Sequence, residues 1–174
     1  MVGVTLLRTD RLRLRPWPAA PRDVERMADL YGREEIRRWI GGTPSVPPEV
    51  LVARWTTVHE LDDRHGCWAI ECADGCVAGT VLFKPLPNGV GEVEVGWHLH
   101  PDSWGRGYAT ESARAVIDRG FRGGVPEVYA VVRPGNAASV AVCRRLGMQP
   151  LGRLRRWYGV ELDAFRLMAP AVVD

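Results

Sequence analysis

Two glycines at alternate positions, in Trp104-Gly105-Arg106-Gly107-Tyr108-Ala109-Thr110, stand where a strand that stops at Pro101 gives way to a helix. Such a loop leaves several backbone N–H groups without intrahelical partners at the positive end of a helix, and a phosphate can satisfy them. A dinucleotide fingerprint would require a third glycine at 110, where Thr110 stands, and a βαβ unit rather than a meander strand before it. A phosphate loop of the Gly-Lys-Ser/Thr kind would require a lysine after Gly107, where Tyr108 stands. On local pattern alone, a tight helix start accounts for the glycines as well as an anion cradle does.

Residues able to move protons lie on either side of this loop. Glu94 and His98 fall on one face of the strand before it, and either could act as a base, directly or through a water; a solvated or satisfied polar face explains them equally. His98 and His100 have the spacing of two strand ligands, but no third ligand accompanies them and no metal is expected. Glu111 falls in the first turn of the helix, where a carboxylate stabilises the dipole, and that role outranks a catalytic one. Ser139 lies three residues after Asn136 and shares its helix face. Cys67, Cys72, Cys76 and Cys143 form no C-x-x-C pair and read as small buried thiols.

The elements that must position these groups follow from periodicity and turn chemistry. Arg11 to Arg15 alternates as a short strand halted by Pro16 and Pro18. One helix is expected from Pro21 to Ile40 and a second from Pro48 to Leu61. Gly66 to Cys72 and Cys76 to Lys84 flank an Asp-Gly turn as a hairpin, and Glu92 to His100 adds a third strand after Pro87-Asn88-Gly89. Its odd residues, Val93 to Leu99, take the apolar face. A helix from Gly105 to Phe121, a strand from Glu127 to Arg133 and a helix capped by Asn136 and stopped at Gly147 follow. Leu151 to Trp157 and Glu161 to Met168 close the chain as a strand pair. The order is β-α-α-β-β-β-α-β-α-β-β, a mixed α+β pattern without repeats or linkers.

A chain of 174 residues fits one domain, 1–174, with enough apolar surface to bury a core without staples. Its net charge of +2, with 23 basic and 21 acidic side chains interspersed, offers no basic patch for nucleic acid. No stretch approaches the roughly 18 apolar residues of a spanning helix, and no signal peptide opens the chain, so no membrane is expected and a cytoplasmic location is.

The segment "EVGWHLHPDSWGRGYATES" at 94–112 resembles the coenzyme-binding motif of the GNAT superfamily of N-acetyltransferases, within it the RimJ/RimL-like branch that acetylates N-terminal amines of ribosomal proteins. The likeness extends to "RTDRLRLRPW" at 8–17, "GCWAIE" at 66–71, "CVAGTVLF" at 76–83 and "NAASVAVCRRLGM" at 136–148, nearly the whole chain. It implies a central splayed mixed sheet, with acetyl-CoA as co-substrate wedged between the strand at 94–99 and that at 128–132. Backbone groups at Trp97, His98 and Leu99 would pair with the pantetheine arm. Trp104 to Thr110 would hold the pyrophosphate, Arg106 adding charge, and Asn136 would join the coenzyme site. Trp104 replaces the Gln or Arg that opens the family motif, which leaves a backbone cradle intact.

The resemblance also bears on the reaction, which it implies is direct attack by a primary amine on the thioester. Many relatives place a tyrosine acid where Cys143 stands; the RimJ/RimL-like branch has a serine three residues after the asparagine, which nominates Ser139 as acid, with Glu94 or His98 as base. The acceptor groove would bring Trp39, Trp55, Trp157 and Tyr158, of which at least two are expected to be core, and Glu34, Glu35, Asp62 and Asp63 could attract a cationic amine. The implied acceptor is a protein or peptide N-terminal amine; a small-molecule amine, or a module that binds acyl-CoA without turnover, is the alternative. A homodimer is compatible with the branch.

Overall fold

A computed structural model of the chain describes residues 6–18, 20–41 and 46–171. In chain order the elements are β1 (Leu7–Arg8), β2 (Leu12–Arg15), α1 (Pro21–Gly32), α2 (Glu34–Ile40), α3 (Pro48–Leu61), β3 (Gly66–Cys72), β4 (Val77–Pro85), β5 (Val93–Leu99), α4 (Tyr108–Arg122), β6 (Glu127–Val132), α5 (Ala137–Arg145), β7 (Gln149–Leu154) and β8 (Leu162–Met168). The eight strands form one sheet in the order β1-β2-β3-β4-β5-β6-β8-β7.

Every pairing is antiparallel except that of β5 with β6, which is parallel and short: Val93 faces Val128 and Glu94 faces Tyr129, and there the pairing ends. Beyond Glu94 the two strands diverge, so the edge of β5 at Trp97, His98 and Leu99 opens towards a cleft. The odd residues of β5 supply Val93, Val95 and Leu99 to the main core, packed with Ala113, Val116 and Ile117 of α4 and with Val142 and Cys143 of α5. A second core lies on the opposite face, where Met27, Leu30 and Tyr31 of α1 meet Ile36, Val52 and Trp17.

Three expectations are corrected. The helix expected from Pro21 to Ile40 is two helices, because Arg33 is extended (φ −79°, ψ 135°) and its guanidinium turns back to Asp29 at 3.0 and 3.1 Å. The coenzyme-side helix starts at Tyr108 rather than Gly105, since Gly105 (φ 73°) and Gly107 (φ 79°) are left-handed and a right-handed helix cannot run through them. A two-residue strand, β1, precedes the expected first strand and pairs with it, Leu7 opposite Leu14.

Two buried charges fix where α1 leaves the sheet. Arg15 of β2 makes paired hydrogen bonds to Asp23 at 2.9 and 3.0 Å, and the same carboxylate accepts from the Ala20 N–H at 3.2 Å. Asp23 thus caps the helix and anchors it to β2, which orients the opposite end of α1 towards β5.

Candidate functional site

The cleft left by the divergence of β5 and β6 continues into a cavity of about 1230 Å³. Its floor is Trp97, His98 and Leu99 of β5; one end is the loop and first turn of α4, the other the C-terminal half of α2, and a wall comes from Asn136, Ser139 and Val142 at the start of α5.

The α4 end is built from backbone. A single 3-10 turn at Pro101–Ser103 brings the chain off β5, and the Trp104 indole N–H reaches back to the Leu99 carbonyl at 2.8 Å. Gly105 and Gly107 then aim the first N–H groups of α4 at the cavity. A side chain at Gly107 would sit in a strained backbone and 3.3 Å from the Arg11 guanidinium. The Thr110 hydroxyl on the first turn is buried, borders the cavity and has no hydrogen-bond partner among the described residues. A helix N-terminus, two left-handed glycines and an unused buried hydroxyl fit a pyrophosphate.

A clamp from the N-terminal strand pair holds this loop. Glu111 accepts from the Thr9 hydroxyl at 2.6 Å, the Arg11 N–H at 3.0 Å and Arg11 Nε at 2.7 Å. Arg11 in turn donates to the Arg106 carbonyl at 2.9 Å and lies over the Tyr108 ring at 5.0 Å. Burial alone would raise the Glu111 carboxyl, but the donors from Thr9 and Arg11 outweigh it and hold it below its ordinary range. Arg106 is exposed and does not figure among the residues lining the cavity; Arg11 does.

The other end is built from side chains. His98, on the even face of β5, contacts the Tyr31 hydroxyl of α1 through Nδ1 at 2.9 Å. Burial, helped by the Lys84 charge, pushes its imidazole down to about 4, so the ring is neutral at pH 7. Further along that face, and outside the cavity lining, Glu94 accepts from Lys84 at 2.9 Å and from the Tyr158 hydroxyl at 2.5 Å, so neither expected residue, Glu94 or Tyr158, borders the cavity. Burial and the Glu94 charge push the Tyr158 phenol up to about 12, and Lys84 stays charged.

The remaining candidates separate cleanly. Ser139 is half-buried in the cavity wall, its N–H capped by the Asn136 side chain at 3.2 Å. Trp39 lines the α2 end under the Arg38 guanidinium, 4.8 Å from its ring. Trp55, partly buried, packs against Trp17 and Tyr31, and Trp157 is 3% exposed in a core cluster with Leu86, Tyr129 and Ala164, so neither lines the cavity. Cys143 is buried outright and its thiol is pushed up to about 12, which removes it from proton transfer at neutral pH. Glu34, Glu35, Asp62 and Asp63 do not line the cavity, whose α2 end instead carries Arg38.

Residues 11–149 match the acetyltransferase (GNAT) domain model. The chain belongs to the GNAT acetyltransferases. An uncharacterized N-acetyltransferase of Bacillus subtilis (strain 168), YoaA, is 30% identical over 156 residues, 87% of each chain. The crystal structure of an acetyltransferase from Agrobacterium tumefaciens str. C58 matches with TM-score 0.80 at 28% identity over 95% of each chain. A RimL ribosomal L7/L12 alpha-N-protein acetyltransferase in complex with coenzyme A shares the fold, with TM-score 0.76 at 18% identity over 94% of this chain and 98% of that one. As a GNAT acetyltransferase the chain uses acetyl-CoA as co-substrate. No group of His, Cys, Asp and Glu able to hold a metal occurs among the described residues, and no described helix is long and apolar enough to cross a membrane.

Tyr31, Lys84 and the clamp of Thr9 and Arg11 on Glu111 add to the sequence-derived set. Lys84 had a signal, because an antiparallel pair turning at Asn88-Gly89 places it opposite Glu94. Tyr31 had none, since its approach to β5 depends on how α1 crosses the sheet.

Proposed function

We propose that this GNAT acetyltransferase is a single-domain cytoplasmic enzyme that acetylates an α-amino group at a peptide N-terminus. The observation that carries this reading is the cavity that runs from the Gly105–Thr110 turn past His98 to the α2 end. Acetyl-CoA supplies the acetyl group as a thioester, whose carbonyl carbon bonds to the amine nitrogen as the carbon–sulfur bond breaks. The Gly105–Thr110 turn holds the pyrophosphate and the free edge of β5 aligns the pantetheine arm. A backbone donor there hydrogen-bonds the carbonyl oxygen as it gains charge. His98 takes the proton from the amine nitrogen, and the Ser139 hydroxyl meets the departing sulfur. Trp39 supplies an apolar wall, and Glu94, tied to Lys84 and Tyr158 outside the cavity lining, braces the strand that carries His98.

The acceptor's own basicity favours one class, whichever group takes the proton: an α-amine near pKa 8 gives up its proton about 2.4 units, or about 3 kcal/mol, more readily than an ε-ammonium near 10.4. The cavity also exceeds the roughly 300–1,000 Å³ of an ordinary small-molecule site, which leaves room beside a coenzyme for the first residues of a peptide. The shared architecture with a RimL protein supports the same reading.

Mass spectrometry of acetyl transfer to a matched panel tests it: peptides with free α-amines, N-blocked peptides carrying one lysine, polyamines and free amino acids. Transfer is expected at the α-amines. Transfer confined to polyamines or amino acids overturns the acceptor class, and acetyl-CoA binding without transfer to any amine makes the protein a binding module.

A further inference from the structure

The cradle loop is tied to the strand it leaves by one side chain. In the antiparallel ladder of β4 with β5, the His100 N–H donates to the Ala78 carbonyl at 2.8 Å, and Gly79 stands opposite Leu99. Backbone groups alternate in direction along such a ladder, so those of Leu99, and of Trp97 two residues earlier, face away from β4. Past Glu94 the pairing with β6 has ended on that side of β5, and both residues border the cavity. The Leu99 carbonyl is nevertheless taken, because the Trp104 indole N–H donates to it at 2.8 Å. Chemistry fixes the direction of this bond, since an indole N–H only donates and a carbonyl only accepts.

The place of Trp104 in the chain decides what the tie does. It is the extended residue (φ −69°, ψ 159°) between the 3-10 turn at Pro101–Ser103 and the left-handed Gly105. From Trp104 to Thr110 no other side chain hydrogen-bonds β5 among the described residues, and the loop is held from the N-terminal strand pair by Arg11 at the Arg106 carbonyl. The Trp104 side chain is 47% exposed and adds little to the core, so its N–H is what it contributes. We propose that Trp104 is a positioning residue, which holds the pyrophosphate cradle at a set distance from the free edge of β5 so that one acetyl-CoA engages both and its thioester arrives in register with the strand. A donor held at two points loses rate steeply when the spacing between them is no longer fixed.

This positioning rests on the cradle being the pyrophosphate site proposed above, and two ligands tell the two apart. Calorimetry with 3′-phospho-ADP, the nucleotide half of coenzyme A, reads the cradle alone, whereas steady-state kinetics with acetyl-CoA read cradle and strand together. Trp104→Phe keeps an aromatic ring and removes the donor. Its kcat/KM for acetyl-CoA is expected to fall about tenfold, while the Kd for 3′-phospho-ADP and the Tm without ligand stay at their wild-type values. Trp104→Gln, whose amide N–H has much the same reach as the indole N–H, is expected to recover most of that loss. An undiminished kcat/KM in Trp104→Phe, a loss that Trp104→Gln does not lessen, or a Kd for 3′-phospho-ADP that rises in step with the kinetic loss overturns the inference. A wild-type protein that does not bind 3′-phospho-ADP removes the cradle itself, and the positioning role with it.

Discussion

The two ends of the cavity are made in different ways. At the α4 end, the groups proposed to hold the co-substrate are backbone N–H donors placed by Gly105 and Gly107, and side chains only brace them. Towards the α2 end, the groups are side chains: Trp39 of α2 and His98 of β5 line the cavity, with Tyr31 of α1 against His98 and the Lys84–Glu94–Tyr158 cluster outside the lining further along β5. A backbone site needs a few consecutive residues in the right conformations, so it is local in sequence and tolerant of side-chain replacement. A side-chain site depends on contacts between distant segments, and single replacements change its chemistry while leaving its frame.

The sharpest way to break that contrast is to add a side chain to the backbone end. Gly107→Val puts a β-branched residue at φ 79° beside Arg11, and the stabilisation by acetyl-CoA should vanish. In the wild type, co-substrate at 100 times its Kd adds about 2.7 kcal/mol, roughly 5–11 °C in melting temperature for a domain of this size. A full shift in Gly107→Val would mean that the turn does not bind the pyrophosphate.

In the wall at the start of α5, a replacement should act on turnover alone. Ser139→Ala is expected to lower kcat by ~10²-fold while the acetyl-CoA thermal shift stays at its wild-type size. Steady-state kinetics showing undiminished kcat would return Ser139 to a purely structural place beside its Asn136 cap.

The clamp on the loop should give an intermediate effect. Glu111→Gln removes a charged acceptor from Thr9 and Arg11, and the Kd for acetyl-CoA should rise about tenfold, or 1.4 kcal/mol. Because its folded pKa lies below the ordinary value near 4.3, the Glu111 contribution is present above that value and is lost as the pH falls through the lower, folded one. The melting temperature of the wild type should therefore drop more steeply than that of Glu111→Gln below about pH 4. Parallel curves would show that the clamp contributes nothing to the folded state.

The smallest effect on catalysis is expected where two neighbouring aromatics part company. Tyr158→Phe should raise the KM for the acceptor a few-fold and spare stability, since the phenol only bridges Glu94 and Lys84. Trp157→Ala should instead destabilise the fold by about 3–5 kcal/mol and act on the acceptor only through that loss. Equal acceptor effects at equal stability would erase the distinction between an exposed polar bridge and the core.

How far the sequence alone could be read follows the same division. The strand face that carries Glu94 and His98, the cap at Asn136 and the stop at Gly147 all came from local periodicity and terminal residues, as did the glycines of the cradle. The break at Arg33 was hidden because α1 and α2 continue one apolar rhythm across it, and β1 is too short to alternate. A tryptophan reads alike whether it lines a groove or fills a core, so Trp39 and Trp157 were parted only by the way the final strand pair packs over Tyr129. The acidic groove failed for a related reason: Asp62 turns to Arg64, two residues away, and never reaches the cavity.

The ion pair of Lys84 with Glu94 has a consequence for the protein's own integrity. Lys84 is the sole lysine of this chain, every other cationic side chain apart from histidine being arginine. A protein that keeps an activated acyl donor in contact with amines for its working life invites slow modification of its own ε-amino groups. Here the one such group is kept protonated, and hence without a lone pair, by the carboxylate and phenol that enclose it. Guanidinium groups on the rest of the surface are not acylated under such conditions, so the molecule resists being spent as its own substrate.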